Sequence, residues 1–241
     1  MKIKDSTALV TGANRGIGLG LVTALLKHGV KRVYAAARNP QQLEAVVALD
    51  PDRVVALQID ITDDQQVKAA GEKAKDVTLL INNAGVLGFG SFLDGDVGQI
   101  ERDMTTNYFG TLKMTRAFVP VLEGNGGGAM TNILSVVSLA NMPGIAGYSA
   151  SKAAAFSMTQ SIRAALAGKK IAVHAVYPGP IDTDMAKDFE MDKAGVGETV
   201  AAVIEGIESD VEDIFPDPMA KQVKDLWKQD PKALERQFGA M

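Results

Sequence analysis

Short runs of apolar residues alternate with segments of helical periodicity along most of the chain, and this alternation constrains the fold more than any other feature. None of the runs shows the in–out pattern of a strand that faces water on one side. Uniformly apolar strands separated by helices are typical of a parallel sheet covered on both faces. We therefore predict one doubly wound α/β domain with about six or seven parallel strands. The clearest runs lie at 7–10, 33–37, 54–59, 77–81, 130–134 and 171–176.

The helical segments carry start and stop signals. Residues 16–28 form an apolar stripe that Gly29 is suited to end, and Pro40 is suited to open a second helix. A third helix follows the stretch D-I-T-D-D, with either Thr62 or Asp63 as its N-cap. We also expect a long helix near residues 97–122 and another that begins close to Gly147. From Pro216 the chain is polar, with two short helical patterns that we interpret as an appendage.

Charge and composition exclude several functions. The 241 residues include 25 Lys and Arg against 29 Asp and Glu, and the net charge of −4 argues against nucleic acid or an anionic membrane as the main partner. The chain has no cysteine, which excludes disulfides and thiolate metal sites. Neither of its two histidines has a second ligand nearby, so we expect no metal. Without a signal-like segment or an apolar run of membrane length, a cytoplasmic protein is expected.

A glycine-rich turn follows the first strand. It reads T-G-A-N-R-G-I-G, from Thr11 to Gly18, with glycines spaced as G-x-x-x-G-x-G. This spacing differs from both the G-x-G-x-x-G fingerprint and the G-x-x-x-x-G-K phosphate loop. Glycines nevertheless permit a tight turn and close approach of a ligand to the backbone, and the N-terminus of the following helix attracts a pyrophosphate. A dinucleotide site is predicted, and a turn without a ligand is the alternative.

The end of the second strand indicates which dinucleotide. Sites for NAD usually carry an acid about twenty residues after the glycines, where it binds the ribose 2′-hydroxyl. Here the strand ends in Ala37 and Arg38, and Arg15 lies within the glycine loop. Two guanidinium groups without a carboxylate suit a 2′-phosphate, so we predict NADP(H) as the cofactor. Alternatively, either arginine is a solvated surface residue.

Four motifs in order resemble the short-chain dehydrogenase/reductase (SDR) family. They are the glycine loop, N-N-A-G at 82–85, Y-S-A-S-K at 148–152 and P-G-P-I-D-T at 178–183. The resemblance implies a single Rossmann-like domain, a carbonyl reductase or alcohol dehydrogenase activity, and a homodimer or homotetramer. On this basis we expect a cofactor-binding and catalytic core at 1–185, a substrate loop, helix and last strand at 186–215, and the appendage at 216–241.

The family's catalytic residues fall on four positions of this chain. Tyr148 and Lys152 match its tyrosine and lysine, and Asn107 matches its helical asparagine. Ser135 matches its serine within N-I-L-S, although a leucine replaces the usual first serine and Ser138 is a competing candidate. Because positions four residues apart share a helix face, the lysine should favour the phenolate and so fit the tyrosine for proton transfer. The resemblance implies that the lysine also binds the nicotinamide ribose, the serine donates to the substrate oxygen, and the asparagine holds a water.

The cofactor residues are carried over in the same way. Asp60 matches the acid that contacts the adenine, and the segment from Pro178 matches the one that holds the nicotinamide carboxamide. Compared with the family, the third helix and the loop after Thr183 are short, and the C-terminal tail is long. The predicted cofactor set is Gly12, Asn14, Arg15, Gly16, Ile17, Gly18, Arg38, Asp60, Ile61, Asn83, Ala84, Gly85, Tyr148, Lys152, Pro178, Gly179, Ile181 and Thr183.

The loops near the expected reaction centre are apolar and lack clustered cations. We therefore predict a medium-sized hydrophobic aldehyde or ketone as substrate, with about half of these residues facing it. The competing hypotheses are a non-redox enzyme on the same scaffold, such as a dehydratase, epimerase or dehalogenase, and a sensor that binds NADP(H) without turnover. The candidate lining residues are Val86, Leu87, Phe89, Val136, Leu139, Met142, Ile145, Met185, Phe189 and Met191.

Overall fold

Seven parallel strands form one sheet in the computed structural model, which describes residues 1–241. The strand order is β3-β2-β1-β4-β5-β6-β7, so the chain winds outward in both directions from the centre. The prediction of a doubly wound parallel α/β domain is confirmed. The strands are β1 (Thr7–Thr11), β2 (Arg32–Ala37), β3 (Val54–Gln58), β4 (Leu79–Asn82), β5 (Gly128–Ile133), β6 (Ile171–Val176) and β7 (Asp213–Ile214).

Helices cover both faces of the sheet. Helices α1 and α7 pack together on one face, and α3 and α5 pack together on the other. None of the helices combines the length and apolar character needed to cross a bilayer. The helices are α1 (Gly16–Lys27), α2 (Glu44–Val47), α3 (Asp64–Lys73), α4 (Val97–Asp103), α5 (Thr111–Gly124), α6 (Ala146–Ala165), α7 (Val196–Glu208), α8 (Pro218–Gln229) and α9 (Pro231–Gly239).

The central strand β1 shows how the core is divided. Ala8 and Val10 belong to the apolar cluster beneath α1 and α7, whereas Leu9 belongs to the cluster beneath α3 and α5. Successive side chains of a strand point to opposite faces, so a strand buried on both faces must be apolar throughout. This requirement explains the continuous apolar runs in the sequence.

The helix signals were largely correct, with local differences. Asp63 rather than Thr62 caps α3, because its carboxylate accepts from the amides of Gln65 and Gln66. Pro40 begins a short 3-10 helix that leads into α2. The long helix is continuous from α4 to α5, but a π-helical segment, Met104–Gly110, joins the two.

The C-terminal tail folds into α8 and α9, which matches the two short helical patterns. These helices bury Leu234 and Phe238 in an apolar cluster that also contains Val136 and Tyr148. Although the tail is polar on average, its few apolar residues cover the region of the predicted catalytic tyrosine.

Candidate active site

A cavity of about 910 Å³ opens at the carboxyl ends of the strands. It lies where the order of the sheet reverses, between β1 and β4, which is the usual ligand site of open α/β sheets. Every residue of the predicted catalytic and cofactor sets lines this cavity, with Asn107 as the exception. The residues that follow successive strands into the cavity are Gly12, Arg38, Asn83, Ser135 and Pro178.

The glycine loop is packed too closely for side chains. A Cβ on Gly18 would lie 2.1 Å from the carbonyl oxygen of Gly12, and Gly12 itself has a φ of 64° with only 3.0 Å to Ala84 Cα. Asn83 holds this arrangement by donating from Nδ2 to the carbonyls of Thr11 and Gly12, at 2.8 and 3.2 Å. The amides at the start of α1 have no intrahelical partner, so the loop fits a pyrophosphate.

The two arginines differ in their surroundings. Arg15 Nη1 lies 3.3 Å from Asp184 Oδ2, and both side chains are about 70% exposed. Arg38 is exposed at the end of β2 and makes no hydrogen bond or salt bridge within the chain. Arg38 is therefore the cation that is free to meet an anion, while Arg15 already has a partner that the sequence did not reveal.

The part of the cavity that is expected to hold the adenine is built around Asp60. One carboxylate oxygen, Oδ1, accepts from the amide and the hydroxyl of Thr62, at 2.9 and 2.7 Å. The Asp60 amide donates to Oε1 of Gln66 on α3. These bonds fix the carboxylate beside Ile61 in the cavity wall and explain why Thr62 does not cap the helix.

The segment after β6 is anchored by a residue that the sequence analysis missed. Asp217 is buried, and its Oδ2 accepts from the Gly179 amide at 2.8 Å. Its Oδ1 accepts from the Ala220 amide and so caps α8. The sequence signal was present, since Asp217 precedes Pro218 as an N-cap followed by proline at the first helical position. The link to Gly179, 38 residues earlier, is a tertiary contact.

Ser135 and Ser138 have different positions. Ser135 ends the fifth-strand segment and lines the cavity, whereas Ser138 does not. The Ser138 hydroxyl accepts from the Ser135 amide, and the Ser135 hydroxyl accepts from the Val137 amide, so the two form a capping box around a 3-10 turn. The geometry thus favours Ser135 as the serine of the site.

Tyr148 and Lys152 lie on the first turns of α6 and are both buried. The Lys152 ammonium is 5.6 Å from the centre of the Tyr148 ring and donates to the carbonyl oxygen of Ile133 at 2.8 Å. Burial raises the pKa of Tyr148 to about 12, against a smaller lowering by Ser135. Burial lowers the pKa of Lys152 to about 8. In the chain alone burial therefore dominates the pKa of Tyr148, and the acidifying effect expected of the Lys152 ammonium stays a prediction.

Asn107 lies behind the cavity wall rather than in it. Its Oδ1 accepts from the Val86 amide, and its Nδ2 donates to the Val86 carbonyl and to Ser151 Oγ, all at 2.9 Å. The side chain is 1% exposed and sits in the π-helical segment. The side chain of Asn107 thus joins the loop after β4 to α6, and the water contact expected of Asn107 stays a prediction.

The remaining wall is apolar, as expected, but eight of the ten candidate residues line it rather than half. Phe89 and Leu139 do not line it, and Phe89 instead packs on Phe189 with ring centres 5.6 Å apart. Met219 on α8 completes the wall and was not predicted. Arg102 also reaches the cavity, so this end is not free of cations.

Known proteins match the chain along most of its length. A protein-family model described as short chain dehydrogenase matches residues 6–194. A short chain dehydrogenase from Burkholderia cenocepacia, crystallised in complex with NADP, is 43% identical, covers 99% of both chains and has a TM-score of 0.93. A short-chain dehydrogenase from Sphingobium yanoikuyae in complex with NADPH is 27% identical over 95% of this chain and 94% of that chain, with a TM-score of 0.83. The 2-(R)-hydroxypropyl-CoM dehydrogenase of Xanthobacter autotrophicus is 33% identical over 82% of each chain.

Proposed function

Because the chain belongs to the short-chain dehydrogenase family of oxidoreductases, we propose that it is an NADPH-dependent enzyme that reversibly reduces a medium-sized hydrophobic aldehyde or ketone to an alcohol. One observation carries the proposal. Ser135, Tyr148 and Lys152 line the same cavity as the glycine loop and the unpaired Arg38. A hydride donor and a proton donor can therefore meet one carbonyl group there.

The cofactor preference rests on Arg38. It lies where an acid would bind the 2′-hydroxyl of NAD, and it has no competing partner within the chain. Guanidinium binds phosphate through charge-assisted hydrogen bonds, so this position favours a 2′-phosphate. The NADP and NADPH complexes of the two related structures support the same preference.

The mechanism assigns one role to each side chain of the catalytic set. When bound, the nicotinamide supplies the hydride for the carbonyl carbon. Tyr148 donates its phenolic proton to the carbonyl oxygen as negative charge develops there. The hydroxyl of Ser135 donates a long hydrogen bond of 3.4 Å to the Pro178 carbonyl and also interacts with the Tyr148 phenol, so it can turn to stabilise that oxygen. Lys152, with a pKa of about 8, is mainly an ammonium at neutral pH and can return a proton to the phenolate.

Burial keeps Tyr148 in the protonated form that carbonyl reduction uses. With a pKa of about 12, Tyr148 is neutral at pH 7 and is ready to donate a proton. Alcohol oxidation needs the phenolate, and reaching it at pH 7 costs about 7 kcal/mol, at 1.36 kcal/mol per pH unit. A further positive charge beside the phenol, in addition to the Lys152 ammonium, would reduce that cost.

The test is a spectrophotometric assay of the purified protein with NADPH and then NADH, against aryl and alkyl aldehydes and ketones. We expect carbonyl-dependent oxidation of NADPH that Tyr148→Phe abolishes while NADPH binding persists. Faster turnover with NADH would contradict the cofactor assignment. Tight NADPH binding without turnover across the panel would favour the sensor, and product formation without net NADPH oxidation would favour a non-redox enzyme.

A further inference from the structure

A buried carboxylate beside the catalytic set has no role in the mechanism above. Asp103, the last residue of α4, is 1% exposed. Its Oδ2 accepts from the Gly88 amide at 3.1 Å, while its Oδ1 makes no hydrogen bond. The half-exposed Arg102 guanidinium lies 3.9 Å from Oδ1. An incompletely paired buried carboxylate destabilises a fold, so its presence here points to a function.

Asp103 and Asn107, one helical turn apart, hold the same loop. Asn107 forms hydrogen bonds with the amide and the carbonyl of Val86, and Asp103 accepts a hydrogen bond from the amide of Gly88, two residues further on. A Cβ on Gly88 would lie 2.9 Å from the Asp103 carboxylate, so the loop and the helix are in close contact there. Since Val86 lines the cavity, these two side chains fix one wall of the substrate space.

The same helix turn is connected to the catalytic helix α6. Asn107 donates to Ser151 Oγ, and Ser151 donates to the carbonyl oxygen of Tyr148 at 2.7 Å. A Cβ on Gly85 would lie 3.1 Å from Asn107 Oδ1 and 3.6 Å from Lys152 Nζ, so the two polar groups border one small space. A change at this turn of the helix therefore reaches both the loop wall and the proton donor.

The charge of Asp103 acts on the catalytic pair directly. It raises the pKa of Lys152 and the pKa of Tyr148. Burial raises the pKa of Asp103 itself, opposed by the Gly88 hydrogen bond and by the charges of Arg102 and Lys152. The titratable groups that face it are thus Arg102 on its own helix and the Tyr148–Lys152 pair on α6, while the loop offers only a neutral amide.

We propose that Asp103 is a positioning residue of this site. Its carboxylate holds the loop wall through the Gly88 amide, and its buried negative charge keeps Lys152 an ammonium and Tyr148 a neutral phenol. The proposal rests on the carbonyl reduction proposed above, in which both groups must carry their protons.

The first test is Asp103→Asn, which keeps the shape and the hydrogen-bond acceptor but removes the charge. The kcat for carbonyl reduction is measured against pH, with the exposed Asp225→Asn of α8 as the matched control. We expect the basic limb to move to lower pH, so the ratio of D103N to wild-type kcat falls as the pH rises, with the KM for NADPH unchanged. Superimposable profiles, or a loss of kcat that is equal at every pH, would overturn the proposal.

The second test is thermal unfolding without cofactor, which does not depend on turnover. Because the folded-state pKa of Asp103 is raised, the stability that its protonated form contributes is fully present below the unfolded-state pKa and is lost as the pH rises through the folded-state pKa. We expect D103N to melt above wild type at neutral pH, with the difference vanishing in acid. A D103N protein that melts below wild type at neutral pH would contradict the proposal that Asp103 carries a buried negative charge. Absence of wild-type turnover would defeat the proposed function alone, since the melting result still decides the charge of Asp103.

A third variant separates the acceptor from the charge. Asp103→Leu removes both and leaves the Gly88 amide without a partner. We expect it to raise the KM for the carbonyl substrate relative to D103N, because the loop wall loosens. Equal KM values in the two variants would refute the role of Asp103 in holding the loop wall.

Discussion

Replacing Arg38 with alanine tests the cofactor assignment most directly. The side chain lines the cavity, is exposed and has no partner within the chain, so its removal breaks no internal contact. A hydrogen bond to a charged group contributes about 1.5–3 kcal/mol. If Arg38 meets the 2′-phosphate, the Kd for NADPH should therefore rise about 10- to 150-fold, at 1.4 kcal/mol per factor of ten.

The assay is a fluorescence or calorimetric titration with NADPH and with NADH, at low and high salt. NADH lacks the 2′-phosphate, so its Kd should change little, and the NADPH effect should shrink at high salt because this exposed interaction is screened. Arg15→Ala is the matched control, since Arg15 already pairs with Asp184. Because Asp184 already engages the Arg15 guanidinium, we expect Arg15→Ala to weaken NADPH binding less than Arg38→Ala does.

The reasoning would be refuted by an equal loss of NADPH and NADH affinity in Arg38→Ala. That result would place the side chain on a part of the cofactor common to both. A larger effect of Arg15→Ala than of Arg38→Ala would instead show that Arg15 leaves its carboxylate partner to bind the phosphate.

Three further predictions concern the frame of the site. Gly18→Ala should abolish cofactor binding or soluble expression, because its Cβ would lie 2.1 Å from the Gly12 carbonyl; a variant that binds NADPH normally would contradict the packed loop. Asp217→Ala should lower the free energy of unfolding, measured in urea, by about 2–4 kcal/mol, because α8 loses its cap and the Gly179 amide loses its partner. A loss no larger than that of the exposed control Asp225→Ala would contradict both roles of Asp217. His174 is buried, and burial lowers its pKa. As the pH drops, the histidine of the unfolded chain is protonated before the histidine of the folded chain, so stability should fall below about pH 6.5. His174→Gln should flatten that fall in pH-dependent melting, and parallel curves would disprove the assignment.

Features set by local sequence were predictable. The strands, the glycine loop and the order of the motifs follow from apolar periodicity and from backbone positions that only glycine fits. The Asp63 cap remained open because Thr62 is an equally good capping residue. Asp60 decides between the two, because its carboxylate accepts a hydrogen bond from the Thr62 hydroxyl and leaves Asp63 as the cap.

The features that could not be predicted depend on tertiary contacts. Asp217 contacts Gly179 across 38 residues, and Asp184 contacts Arg15 across 169. The position of Asn107 depends on the π-helical segment, which no residue pattern in the sequence predicts. The pKa of Tyr148 is likewise set by burial, which a count of neighbouring charges along one helix does not include.

The C-terminal helices α8 and α9 are synthesised last, so the candidate site can be completed only when the end of the chain has been made. A nascent chain that has emerged as far as β7 contains the whole sheet, the glycine loop and the Ser135–Tyr148–Lys152 set. It still lacks Leu234 and Phe238, which complete the apolar cluster around the tyrosine. Until they dock, the apolar cluster that contains Tyr148 is incomplete, and because burial raises the pKa of that phenol, we expect its pKa to be lower in the shorter chain. Such a chain also lacks Asp217, which anchors Gly179, and Met219, which completes the cavity wall, so we expect both cofactor binding and turnover to await the last two helices.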